Sequence, residues 1–212
     1  MVQRFLGRLL AAVVAVASIM FVASAVAADE APDALIKRLS TEVLDAIKAD
    51  KQIQAGNLSR VIALVDQRIM PSVNFQRMTS SAVGRHWRQA TPEQQSRLQD
   101  EFKILLVRTY SGALAQVSDQ SIAMKPMRAT PEDKEVVVRT EVRGHGDPIQ
   151  LDYRLEKTPG QGAGWKIYDL NVLGVWLVET YRGQFAQEVS AKGIDGLIAT
   201  LSERNKANAK KG

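Results

Sequence analysis

The chain has 212 residues, a net charge of +5 and no cysteine, so disulfides and thiolate chemistry are excluded. Lysine and arginine are interleaved with acids rather than gathered into a stripe, which gives no argument for nucleic acid. With only two histidines, His86 and His145, the chain lacks the three or four ordered ligands that a zinc site takes.

Arg4 and Arg8 are the only charged residues before Asp29. From Leu9 to Ala28 the chain is Ala, Val, Leu, Ile, Met and Phe, relieved by Ser18 and Ser24, and it ends in the small-x-small pattern Ala25-Val26-Ala27. A basic start, an apolar run and a small-residue processing site in that order read as a secretory signal. The run is long enough to anchor in a bilayer instead. Its alanine content and its processing site favour cleavage, so residues 1–27 are expected to be removed. That leaves 185 residues with a charge of about +3, a single domain over 28–206 and a polar tail over 207–212.

The first half of this remainder reads as helix. Residues 29–50 carry Pro32 near the start and then Leu35, Ile36, Leu39, Val43, Leu44 and Ile47 at helical spacing. Gly56 interrupts the pattern, Leu58 to Met70 resumes it, and Pro71 stops it. A short helix over Val73 to Val83 closes at Gly84. Thr91-Pro92-Glu93-Gln94 is a capping signature, and the helix it opens runs to about Val117 with Leu98, Phe102, Leu105, Leu106, Tyr110, Ala113 and Leu114 on one side. The period then changes to two. Residues 121–127, 136–142, 149–155 and 165–172 read as four strands, with turns at Gly144–Asp147 and Pro159–Gly164. Helix returns after Gly174 with Val175, Val178, Tyr181, Phe185 and Val189 on one face, and a last helix spans about Ile194 to Lys206. The expected class is α+β: helices, a four-stranded antiparallel sheet, then helices wrapping it.

Catalytic chemistry finds little support. Neither histidine lies near a Gly-x-Ser-x-Gly turn, and no glycine-rich phosphate loop follows a strand. His145 sits between glycines in a turn, and His86 is flanked by Arg85 and Arg88. One enzyme reading is left: Asp152 or Asp169, both on strands, as a general base in a cavity. Against it, either aspartate can face water or pair with Arg139 and Arg154 across the sheet.

Seven stretches in order resemble the MlaC family, the periplasmic phospholipid-binding proteins also called the toluene-tolerance family. They are GRHWRQATPEQQ (84–95), VRTYSGAL (107–114), VVVRTEV (136–142), LDYRL (151–155), GWKIYDLNVLGV (164–175), YRGQF (181–185) and GIDGLIATL (193–201). The resemblance implies a sheet partly wrapped by helices, related to the NTF2-like cone, with a deep apolar pocket. It implies no enzyme activity and no cofactor, with phospholipid as cargo. It also implies a carrier in the periplasm that serves an inner-membrane ABC transporter with an MCE-domain protein and an outer-membrane lipoprotein–porin complex, and so maintains outer-membrane lipid asymmetry. On that basis the expected pocket walls are Val136, Val138, Leu151, Tyr153, Leu155 and Ile167 from the sheet. Leu106, Tyr110, Val178, Tyr181 and Phe185 would face them from helices, with Trp176 as a candidate lid. Each of these residues reads equally as packed core. Arg85 and Arg88 are either a docking surface for a partner or a solvated basic face. One departure from the family pattern is Leu173 in Asn171-Val172-Leu173-Gly174, where many relatives have a more polar or acidic residue before the glycine. It points to a different pocket mouth. The competing readings are a periplasmic adaptor or chaperone on the same fold and, behind it, the cavity enzyme.

Overall fold

A computed structural model describes residues 29–130, 132–144 and 146–209. The expected signal segment, His145 and the end of the polar tail lie outside the described residues.

Helix α1 (Pro32–Ala49) begins with proline in its first turn, where the missing N–H costs nothing. Short helices α2 (Lys51–Gln54) and α3 (Leu58–Leu64) follow, each capped by a side chain that accepts from backbone N–H groups, Asp50 for α2 and Asn57 for α3. A π-helical turn over Val65–Ile69 and a 3-10 turn over Met70–Ser72 lead to α4 (Phe75–Val83). Gly84, at φ 66°, ends α4 in a conformation that a side chain disfavours. After a 3-10 segment, Gly84–Gln89, comes α5 (Pro92–Ala115) with the expected capping box: Gln94 N–H donates to Thr91 Oγ1 at 3.2 Å, and Thr91 N–H donates to Gln94 Oε1 at 3.0 Å. Thr91→Ala is expected to lower stability by about 1 kcal/mol, measured by urea unfolding.

The sheet has five strands, not the four expected: β1 (Ser121–Met124), β2 (Glu135–Arg143), β3 (Ile149–Lys157), β4 (Trp165–Val172) and β5 (Val175–Trp176), all antiparallel neighbours in chain order. The fifth is a two-residue return strand. It escapes pattern reading because two residues show no alternation. Helix α6 (Leu177–Ala209) is two helical halves joined at Gly193, whose φ of 71° breaks the helix where the sequence separates two segments.

Apolar side chains collect in three clusters. Phe102, Leu98, Phe185, Leu197 and Leu201 lie in one, built by α4, α5 and α6. Leu35, Ile36, Val138, Leu155 and Ile167 lie in a second, between α1 and the sheet. Ile47, Ile53, Val61 and Val107 form a third among α1, α2, α3 and α5.

A polar clasp joins α4 to the sheet. Arg77 donates to Glu156 and to Glu135 at 2.5 Å each, and its guanidinium lies 3.7 Å from the Tyr168 ring centroid. Tyr168 Oη donates to Glu135 at 2.8 Å, and Asn74 Nδ2 donates to Glu156 at 2.6 Å. The Arg77 guanidinium, then the Tyr168 hydroxyl, hold the Glu135 carboxyl below its ordinary range. A carboxyl whose folded pKa is depressed contributes stability above its unfolded value, about 4.3 for glutamate, and loses it as pH falls further. Arg77→Ala is therefore expected to cost about 1–2 kcal/mol at pH 7, discounted for partial exposure of the pair. The gap from wild type should narrow below about pH 4, as read by denaturant unfolding at both pH values.

Candidate functional site

Strand register defines one inner face, and burial falls along it from end to end. The row Val136, Leu155, Ile167 is fully buried. In the next row Val138 is buried, while Tyr153 and Leu170 are half-buried. Then comes Met124, Thr140, Leu151, Val172 and Val175, in which only Thr140 is buried and Val175 is exposed. The last row, Ile122, Val142 and Ile149, is half-buried to exposed. The sheet is closed at one end and open at the other.

The helices explain the gradient. Helix α1 packs along β1 and β2, and α4 and α6 pack along β4, whereas β3 receives side chains from α1 at Leu155 and Tyr153 and from α4 at Glu156 without a helix running along it. Helix α5 packs on α6, α3, α4 and α2 and not closely on any strand. Its burial fades accordingly: Leu98, Phe102 and Leu105 are buried, whereas Leu106, Tyr110 and Leu114 near its C-terminal end are half-buried. The less covered apolar positions are thus Leu151 and Tyr153 on the inner face of β3 and Leu106, Tyr110 and Leu114 on α5, which are half-buried at the edges of the three clusters and form the two sides of a candidate apolar seam. Val43 of α1 packs against both the sheet cluster and the third cluster and borders this seam. Tyr153 is half-buried against the sheet cluster. Burial pushes its hydroxyl above the ordinary phenol range, and the Ser40 and Thr140 hydroxyls are its polar partners.

The expected wall residues therefore separate into groups. Leu106 and Tyr110 are half-buried against the helical cluster, Tyr153 is half-buried against the sheet cluster, and Leu151 is half-buried beyond it on the inner face of β3. Val136, Val138, Leu155 and Ile167 are packed under α1, and Val178, Tyr181 and Phe185 are packed in the helical cluster. Trp176 pairs with Asn171 on the other face, with the Arg154 guanidinium 3.9 Å from its ring centroid. Leu170 and Val172 join the inner face without having been singled out. The register shift opposite Arg154 and Leu155 leaves Tyr168 without a strand partner, so Ile167 and Leu170 share a face despite odd spacing.

Neither strand aspartate lies in the seam. Asp169 is buried on the outer face, where Oδ1 accepts from the N–H groups of Leu170 at 2.9 Å and Val178 at 3.1 Å, and Oδ2 accepts from Arg154 at 3.0 Å. Burial raises its carboxyl pKa against the pull of these donors. Asp152 is buried on the same outer face and accepts from Gln150 Nε2 at 2.7 Å. The inner-face rows offer no carboxylate as a general base, and no group of metal-ligating residues occurs among the described residues. Nor is any described helix long and apolar enough to cross a membrane.

Two surface clefts open elsewhere. One, of about 520 Å³, is lined by Arg85, His86 and Arg182 among others, with Arg182 Nε donating to the Ser81 carbonyl at 3.0 Å. Arg88 is exposed on the same 3-10 segment as Arg85. The other, of about 420 Å³, lies beside Asn74, Gln99 and Lys166.

The chain has counterparts among known proteins. The MlaC family model, described as MlaC protein, matches residues 37–203. The chain belongs to the MlaC family. The toluene tolerance protein ttg2D of Pseudomonas putida is 28% identical over 170 residues, 79% of this chain and 77% of that protein. The intermembrane phospholipid transport system binding protein MlaC of Haemophilus influenzae is 22% identical over 178 residues, 83% of each chain. Among solved structures, the phospholipid-binding protein from Ralstonia solanacearum, solved in complex with a phospholipid, is 50% identical with a TM-score of 0.80. That match covers 84% of this MlaC-family chain and 98% of the solved one.

Proposed function

We propose that the chain is a phospholipid carrier that holds acyl chains in the seam between the inner face of β3 and the C-terminal half of α5. The observation that carries this reading is the fall in burial along one apolar sheet face, from Val136, Leu155 and Ile167 to Ile149 and Val175. Kinship to a phospholipid-complexed protein at 50% identity supports it. Each methylene taken out of water contributes about 0.8 kcal/mol, so two acyl chains of about 30 methylenes resist exposure by on the order of 20 kcal/mol. An aqueous compartment is closed to a bare lipid on that scale, and a protein must replace the bilayer around the chains.

The carrier works in the periplasm, released by removal of residues 1–27, and exchanges glycerophospholipid with membrane complexes on either side. These are the inner-membrane ABC transporter with its MCE-domain protein and the outer-membrane lipoprotein–porin complex. In this scheme Arg85 and Arg88 serve partner docking. Leu106, Tyr110, Leu151 and Tyr153 touch the acyl chains, and the buried wall residues support them. Binding by itself only equilibrates the two ends, so direction comes from a partner such as the ATPase. The test is to express the full-length chain in a Gram-negative host, purify it gently, extract it with organic solvent and analyse the extract by lipid mass spectrometry. Stoichiometric phospholipid is expected. An empty extract overturns the carrier reading in favour of a protein-binding adaptor.

A further inference from the structure

Ile149, Leu173 and Val175 are the large apolar residues left exposed among the described residues, at 42%, 64% and 52%. They are gathered at one place. Val175 pairs with Val172, Val172 pairs with Leu151, and Leu173 N–H donates to the Gln150 carbonyl at 3.0 Å, next to Ile149. All three therefore sit at the open end of the inner face, continuing the apolar rows outward from Tyr153 and Leu151 into solvent. Leu173 also has a φ of 52°, unique among the described non-glycine residues, in a conformation that branched side chains disfavour. The turn that holds it is pinned, with Gly174 N–H donating to Asn171 Oδ1 at 2.8 Å. The most exposed leucine among the described residues is thus fixed at the tip of the β4–β5 turn.

We infer that this tip, Leu173 with Ile149 and Val175, inserts into the surface of a phospholipid layer, making the open end of the sheet the gate through which acyl chains pass. The inference rests on the carrier reading and says where the seam meets its lipid source. Continuity is the reason for choosing lipid over a protein partner. An acyl chain leaving the layer along Leu173, Val172, Leu151 and Tyr153 meets apolar surface at each step, so a tip in contact with the hydrocarbon joins that track to its source without a water gap. The three tip residues are aliphatic, whereas the neighbouring Trp176 and Arg154, of the kinds enriched at protein interfaces, stack on each other on the outer face.

Because the chain has no cysteine, Leu173→Cys gives a unique attachment point for an environment-sensitive fluorophore. Mixed with neutral phosphatidylcholine vesicles, the label at 173 should shift to the blue, while the same label at Arg139→Cys, on the outer face, should not. A label at 173 that stays in water overturns the inference. In a second arm, co-sedimentation with the same vesicles compares wild type with Leu173→Asn/Val175→Ser. Asparagine tolerates the left-handed conformation, so the turn is kept while its apolar tip is lost. Vesicle affinity should fall at least about tenfold, with the melting temperature unchanged. Equal binding by the two proteins, or none by wild type, overturns the inference and makes a protein partner the occupant of the tip. Failure of the carrier reading is seen separately, as an empty lipid extract from wild type.

Discussion

Leu151→Glu should give a folded protein that has lost its phospholipid. Leu151 is half-buried near the start of β3, toward the open end of the inner face. In the empty protein a carboxylate at this position reaches water through the open end of the sheet, so folding tolerates it. An acyl chain lying along β3 would strip that water away and leave the charge against hydrocarbon. A penalty of about 3 kcal/mol, modest for an unpaired charge, is about 100-fold in affinity. Leu151→Met keeps the volume and the apolar surface and should retain lipid. Lipid phosphorus per mole of purified protein, read beside a circular dichroism melt, checks both variants. A Leu151→Glu protein with a normal melt and a normal lipid load would place the acyl chains elsewhere. Val138→Glu is the weaker probe. Val138 is fully buried under α1, so a charge there attacks the fold before it can report on lipid.

The reason Leu151 and Val138 differ could not be read from the sequence. Both stand in the apolar register of alternating strands, and alternation places them correctly on one face. What separates them is which helix lies overhead, a property of helix directions that no local period encodes. The same holds for α5. Its stripe was legible from Leu98 to Leu114, but the point along it where packing stops depends on how far α4 and α6 extend beside it. In β4 the limit was different in kind. The alternation Trp165, Ile167, Asp169, Asn171 looks unbroken, and all four residues are buried, yet the register shift at Tyr168 turns the second pair to the outer face. There Asp169 accepts two backbone N–H groups, one of them from the first turn of α6. Asp169 therefore ties β4 to the start of α6, which is a physical role for a buried carboxylate that the sequence offered as a catalytic candidate. The capping box at Thr91, the break at Gly84 and the break at Gly193 were all legible, because each depends on residues within one helical turn.

Phe185→Ala should have the opposite profile, a large loss of stability with lipid binding per folded molecule preserved. Phe185 is 1% exposed in the helical cluster. Its ring centroid lies 5.2 Å from that of Phe102 at an interplanar angle of 77°, and 5.5 Å from that of Tyr181. Phe102 in turn meets Tyr181 edge-on at 4.9 Å, so the three rings form a closed triangle between α5 and α6. Removing one ring leaves a cavity among rigid neighbours that cannot collapse to fill it, at a cost of about 3–5 kcal/mol. For a domain of this size that lowers the melting temperature by roughly 6–20 °C. The triangle holds α5 against α6, and α5 carries Leu106 and Tyr110 to the seam. In the proposed carrier it supports a wall rather than forming one. If Phe185→Ala instead melts near the wild-type temperature and loses lipid, the ring touches acyl chains directly and the seam extends into what is packed here as core. Differential scanning calorimetry with lipid phosphorus on the same sample separates the two outcomes. The pair of variants, one that empties the protein without unfolding it and one that weakens the fold without emptying it, locates the boundary between lipid-bearing surface and supporting core.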